Sequence, residues 1–140
     1  MKKIIAFLCA IIMIVSVFAM SALAYGMGGV SIKDSSGTRI GGGSCWNEPD
    51  DNGEFYVFGA EMTSNASSTH SIILQPKVLR YSDGSEITLT SSKGKSNCTY
   101  STHSYTIDSE KYFPLVAKAR FSINGTNSAT FQYSNGWNWG

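Results

Sequence analysis

Residues 115–123 alternate without interruption. Leu115, Ala117, Ala119, Phe121 and Ile123 share one parity, and Val116, Lys118, Arg120 and Ser122 share the other. A period of two sends successive side chains to opposite faces, so the segment predicts a strand with its apolar set inward. Ala129, Phe131 and Tyr133 repeat the pattern, with Thr130, Gln132 and Ser134 between them. Asn124-Gly125-Thr126-Asn127 joins the two runs, and Asn-Gly tolerates the positive φ angles a tight hairpin needs. A chain that commits its most regular segment to a hairpin must find further strands to cover it.

Those strands are supplied upstream. Val78 and Arg80 alternate with Leu79 and Tyr81, Ser82-Asp83-Gly84-Ser85 turns the chain, and Ile87 and Leu89 alternate with Thr88 and Thr90. Pro76 separates this second hairpin from a strand at 70–75. Residues 54–63 are apolar on both parities, which suits a central strand covered on both faces. Residues 97–107, rich in Ser, Thr and Tyr, suit a strand with a wet face. Shorter strands are expected at 29–33 and 38–40. Gly41-Gly42-Gly43 and the acidic Glu48-Pro49-Asp50-Asp51-Asn52-Gly53 bracket Cys45-Trp46 and read as a loop. The expectation is an all-β fold, a small antiparallel β-sandwich or, as the alternative, a small β-barrel.

The N-terminus reads differently. Lys2 and Lys3 precede an apolar run from Ile4 to Met20 broken only by Ser16, and Ala22-Leu23-Ala24 places small residues where a signal peptidase reads. The run is short for a bilayer span and no basic stop-transfer cluster follows. The expected product is cut between Ala24 and Tyr25. Residues 25–140 then form one secreted, extracellular domain of bacterial type with no stable membrane insertion.

Export bears on the cysteines. Cys9 leaves with the signal, and Cys45 and Cys98 remain. Two thiols in an oxidising compartment usually pair, so a Cys45–Cys98 disulfide is expected. Closing a loop of about 53 residues is worth about 4 kcal/mol in the chain-entropy model. The whole chain carries 11 basic and 10 acidic residues. Loss of Lys2 and Lys3 tips the balance slightly acidic, so no basic footprint for nucleic acid is expected.

Catalytic patterns are missing. The histidines are His70 and His103, and neither H-x-H nor H-x-x-x-H spacing prearranges them for a metal. Ser44 lacks the closing glycine of a nucleophile elbow, because Trp46 stands there. Asp50 and Asp51 are adjacent, so on extended backbone their carboxylates diverge, and the EF-hand spacing is absent. The acidic turn and the sequons at Asn65, Asn97 and Asn124 read as polar turns. No metal, no cofactor and no catalytic residue are expected.

Trp137 and Trp139 are the tryptophans that the strand pattern does not absorb. Two residues apart in the tail, their indoles face one way if the chain is extended there. They are candidates for stacking on a ligand, together with Trp46 and Tyr133. The competing reading is a hydrophobic plug closing one end of the fold.

Thr69-His70-Ser71, Ala117-Lys118-Ala119, Ala129-Thr130-Phe131-Gln132-Tyr133 and Trp137 give the C-terminal third a further property. It resembles the lactococcin family of Sec-exported, all-β bacteriocins. The resemblance implies a signal peptide, a small β-sandwich with an aromatic-rich last strand, and action on envelope targets such as lipid II. It assigns no binding residue. The functional expectation is a secreted, non-enzymatic protein that binds a cell-wall, glycan or envelope-protein ligand. A bacteriocin-like protein and a small secreted hydrolase are the alternatives.

Overall fold

A computed structural model describes residues 29–134. The all-β expectation holds. Eight strands follow in order: β1 (Val30–Lys33), β2 (Arg39–Pro49), β3 (Phe55–Leu74), β4 (Lys77–Arg80), β5 (Glu86–Thr88), β6 (Ser91–Asp108), β7 (Tyr112–Ile123) and β8 (Asn127–Ser134). Where two sheets or a closed barrel were expected, hydrogen bonds join all eight into one antiparallel sheet. Its main path runs β1-β2-β3-β7-β4-β5, with β6 on the other edge of β3 and β8 on β7.

The two strands read at 54–63 and 70–75 are one 20-residue strand, β3. Its N-terminal half pairs with β2 and its C-terminal half with β7, while β6 follows it along both halves. The β3–β6 register slips between Thr63 and Ser68 and again between Ser68 and His70. Bulges bend a strand sharply. The bend brings the inner faces of the two halves together, so that β2 lies against β7 and β8. Between them lie Ile32, Phe58, Met62, Ile72, Leu74, Val78, Phe121 and Ile123, all nearly inaccessible to solvent. Each such side chain is worth roughly 1.5–3 kcal/mol of burial.

The C-terminal hairpin forms as expected. Ile123 pairs with Asn127, and Asn124 and Gly125 take φ of 53° and 72°. Ala117, Ala119, Phe121 and Ile123 are buried. Leu115 departs from the pattern. Lys77 faces Val116 and Val78 faces Pro114, so Leu115 is the extra residue of a bulge and Pro114 takes the inward place. The second hairpin also forms, with the turn held by Asp83, which accepts from Arg80 and from the Ser85 amide and hydroxyl.

Two expectations are corrected. The glycine-rich segment is strand β2, not a loop. A Cβ on Gly43 would lie 2.6–2.7 Å from the Phe121 ring, and one on Gly41 would lie 2.7 Å from Ile123 Cδ1. The glycines let β2 press its backbone onto β7. The Cys45–Cys98 disulfide is absent: both thiols are free and buried. Cys45 faces Ala60 on one edge of β3, and Cys98 faces Ser68 on the other edge, eight positions further on. Two strand spacings alone separate them by roughly 10 Å. A disulfide tolerates a Cα separation of about 7 Å at most. Cys45 Sγ instead donates to the Phe131 carbonyl at 3.6 Å, and Cys98 Sγ to Lys95 and Ser68 carbonyls at 3.5 and 3.6 Å. Burial pushes the Cys45 thiol up to about 12.

Candidate functional site

The histidines lie apart, and among the described residues neither hydrogen-bonds a carboxylate. His70 is buried at the bend of β3, where Nε2 is 2.7 Å from Ser64 Oγ and Nδ1 is 2.8 Å from Ser101 Oγ. Ser64 Oγ also donates to the Ala66 carbonyl at 2.7 Å. That assigns the proton to His70 Nε2, leaving Nδ1 to accept from Ser101. The neutral ring is fully satisfied. Burial, then the charge of Lys95, holds its pKa below the ordinary value. His70 therefore pins the irregular part of β3. His103 Nε2 is 2.8 Å from Ser91 Oγ, and burial, then Lys93, lowers its pKa too. This is the contact a Ser–His pair uses, but among the described residues no acid orients the ring. No group of three or more His, Cys, Asp or Glu gathers among the described residues.

The outer face of the first half-sheet holds a different arrangement. Residues opposite one another in an antiparallel ladder share a face. The rows Glu48–Val57–Thr106, Trp46–Gly59–Ser104 and Ser44–Glu61–Thr102 therefore lie side by side on the side away from the core. Trp46 crosses β3 at Gly59. A Cβ there would stand 2.4 Å from indole Cε2 and Cζ2 and 2.8 Å from Nε1. Glu61 accepts from the Tyr100 hydroxyl at 3.1 Å and from Ser44 Oγ at 3.5 Å. Tyr100 itself is 49% exposed.

Trp46, Glu48, Gly59, Glu61 and Tyr100 line a cleft of about 420 Å³ that reaches the edge of β6 at Lys93 and His103. Among the described residues the second edge of β6 has no strand partner. Ion pairs join Lys77 to Glu86, Arg80 to Asp83 and Lys111 to Asp108, while neither Glu48 nor Glu61 has a described cation within ion-pair range. A shallower depression beside β1 and Arg39 shares Glu61 but has no aromatic wall.

Of the sequence candidates, Trp46 is in this cleft. Tyr133 is not: from β8 it pairs with Ala117 of β7 and packs against the core. Trp137, Trp139, Ala24 and Tyr25 lie outside the described residues. Sequence reasoning missed Glu61, Tyr100 and Lys93. Two signals were available: a carboxylate within an apolar strand, and a glycine at position 59 inside it, which marks close approach of another group. Asp50 caps its own turn, accepting from the Phe55 amide at 3.0 Å, and takes no part in the cleft.

No family model and no curated protein matches the chain. Among solved structures it is similar to the Pseudomonas fluorescens alkylpurine DNA glycosylase AlkC bound to DNA containing an abasic site analog. The TM-score is 0.30 and the identity 13%, over 57% of this chain and 26% of that one. The chain thus spans about a quarter of that protein's length. A likeness this low carries no argument about chemistry. The partner expectation is nonetheless corrected. It excluded nucleic acid and favoured a cell-wall, glycan or envelope-protein ligand, whereas the similar structure is a DNA-bound protein and no comparison brings an envelope ligand. Near-neutral net charge describes the field of the whole chain and does not exclude contacts on one local face.

Proposed function

We propose that the protein is an exported, non-enzymatic binding module. Its bent sheet forms a sandwich-like body, and its ligand site is the outer-face cleft of β2, β3 and β6. The observation that carries this reading is the placement of Trp46 across Gly59, between two carboxylates without ion partners among the described residues, on the side of the sheet the core does not use. An aromatic wall with a few directed polar groups is the common make-up of a small-ligand site. Export is supported by the Lys2-Lys3 and apolar pattern alone.

The test compares wild type with a Trp46→Ala/Tyr100→Ala variant by thermal shift, over a panel of charged and neutral organic probes. A probe that binds the native state raises its melting temperature by mass action. At least one probe is expected to stabilise wild type and not the variant. Turnover of ester, amide or phosphoester substrates that is lost in Ser91→Ala or His103→Ala would replace this reading with the hydrolase. Recovery from culture medium of protein beginning at Tyr25 tests export, and retention in the cell counts against it.

A further inference from the structure

We infer that the cleft takes an organic cation, an alkylammonium or guanidinium group. The inference rests on the binding role proposed above and names its ligand class. Trp46 and Tyr100 give the cleft its aromatic surface, and aromatic faces attract cations through the ring quadrupole, indole most strongly. Glu48 and Glu61 flank the indole, one two positions along β2 and the other one row away on β3. Glu61 is held in place by Tyr100 and Ser44, which donate to its two different oxygens. A carboxylate oriented by two hydroxyl donors loses rotamer freedom, so less ordering is left for the ligand to impose.

The charge count agrees. Among the described residues two carboxylates and one lysine, Lys93, line the cleft, giving them one negative charge in excess. Lys93 stands at the β6 edge and makes no ion pair with either glutamate. An anion would meet both carboxylates, and a neutral apolar group would leave them without a counter-charge. A cation against the indole answers both. Gly59 is the enabling residue, because any side chain there would take the space the indole occupies.

Two sources share this chemistry, a free quaternary or primary amine and the side chain of a basic peptide. Calorimetric titration of the full chain with choline, and separately with its neutral isostere 3,3-dimethylbutan-1-ol, isolates the charge at constant shape. N-acetyl-lysine methylamide and N-acetyl-arginine methylamide represent the peptide source. The expected result is binding of choline or a peptide amide at least roughly tenfold tighter than the isostere. Trp46→Ala should abolish it and Glu61→Gln should weaken it several-fold, with melting curves confirming that both variants fold. Choline binding alone identifies a free amine, and preference for an amide identifies a side chain. Equal affinity for choline and the isostere, or unchanged affinity in Glu61→Gln, overturns the cation inference and leaves the binding role of the cleft intact. If neither choline nor an amide binds, the cation inference is overturned. If the wider panel also gives no Trp46-dependent shift, the binding role falls with it.

Discussion

Ser91 and His103 are twelve positions apart on a single strand, yet Ser91 Oγ lies 2.8 Å from His103 Nε2. A straight strand would place them roughly 40 Å apart. Their contact measures how far β6 doubles back with β3, and it ties the two half-sheets together at the edge. His70 holds the inside of the same bend through Ser64 and Ser101. The fold thus rests on two neutral histidines at one corner.

That corner makes stability acid-sensitive. Both imidazoles have folded-state pKa values below the ordinary 6.5, through burial first and then Lys95 or Lys93. The unfolded chain therefore binds more protons than the native one in this range. The stabilisation is complete above about pH 6.5 and is lost as pH falls through the lower folded values. Melting temperature should be flat from pH 8 to 7 and decline below 6.5, with a shallower decline in His70→Gln. A melting temperature unchanged down to pH 5 would remove this role.

Cys45 and Cys98 should both be found as thiols. The buried Cys45 thiol, raised to about 12, is a poor nucleophile. Native protein should resist iodoacetamide, while protein unfolded without reductant should be labelled at both positions on peptide mapping. A peptide linked through Cys45 and Cys98 would contradict the separation of the two across β3.

Gly43→Ala should destabilise by about 1–3 kcal/mol, since the added methyl meets Cγ and both Cδ atoms of the buried Phe121 ring. Gly94→Ala is the control. Its Cβ would find only the His70 carbonyl at 3.8 Å, and its effect should stay within about 0.5 kcal/mol or be mildly stabilising. Urea denaturation at neutral pH reads both. Equal effects would mean that β2 does not press on β7 as described.

Gly59→Ala should act on the cleft more than on the fold. The atoms its methyl meets belong to the partly exposed Trp46 indole and not to the core, so the indole must leave its place across Gly59. Binding of a cation probe should fall by roughly tenfold or more, with a small change in melting temperature. A large loss of stability with unaltered binding would contradict the placement of the indole.

What the sequence made legible follows from local physics. The β7–β8 hairpin was readable because alternation and Asn124-Gly125 agree, and the second hairpin because Asp83-Gly84 sits between two alternating runs. The long β3 was read as two strands because Asn65, Ser67 and Ser68 break the apolar pattern where the strand bends. The strand expected at 38–40 stops short of most of β2, and the rest of β2 reads as a loop because glycines carry no face of their own. Their meaning lies in Phe121 and Ile123, about 80 residues away. The disulfide followed from compartment and count, neither of which encodes strand position. The cleft joins three strands distant in sequence, so Trp46 was visible as an aromatic while Glu61 and Tyr100 were not visible as its neighbours.

The most direct test of the central claim is a residue-resolved NMR map of the protein with and without choline, the Trp46 indole resonance being assigned by Trp46→Phe. The account predicts shifts centred on Trp46, Gly59, Glu61 and Tyr100, fading toward β7 and β8. Shifts centred on Tyr133 and the β8 strand, or none at millimolar choline, would contradict it.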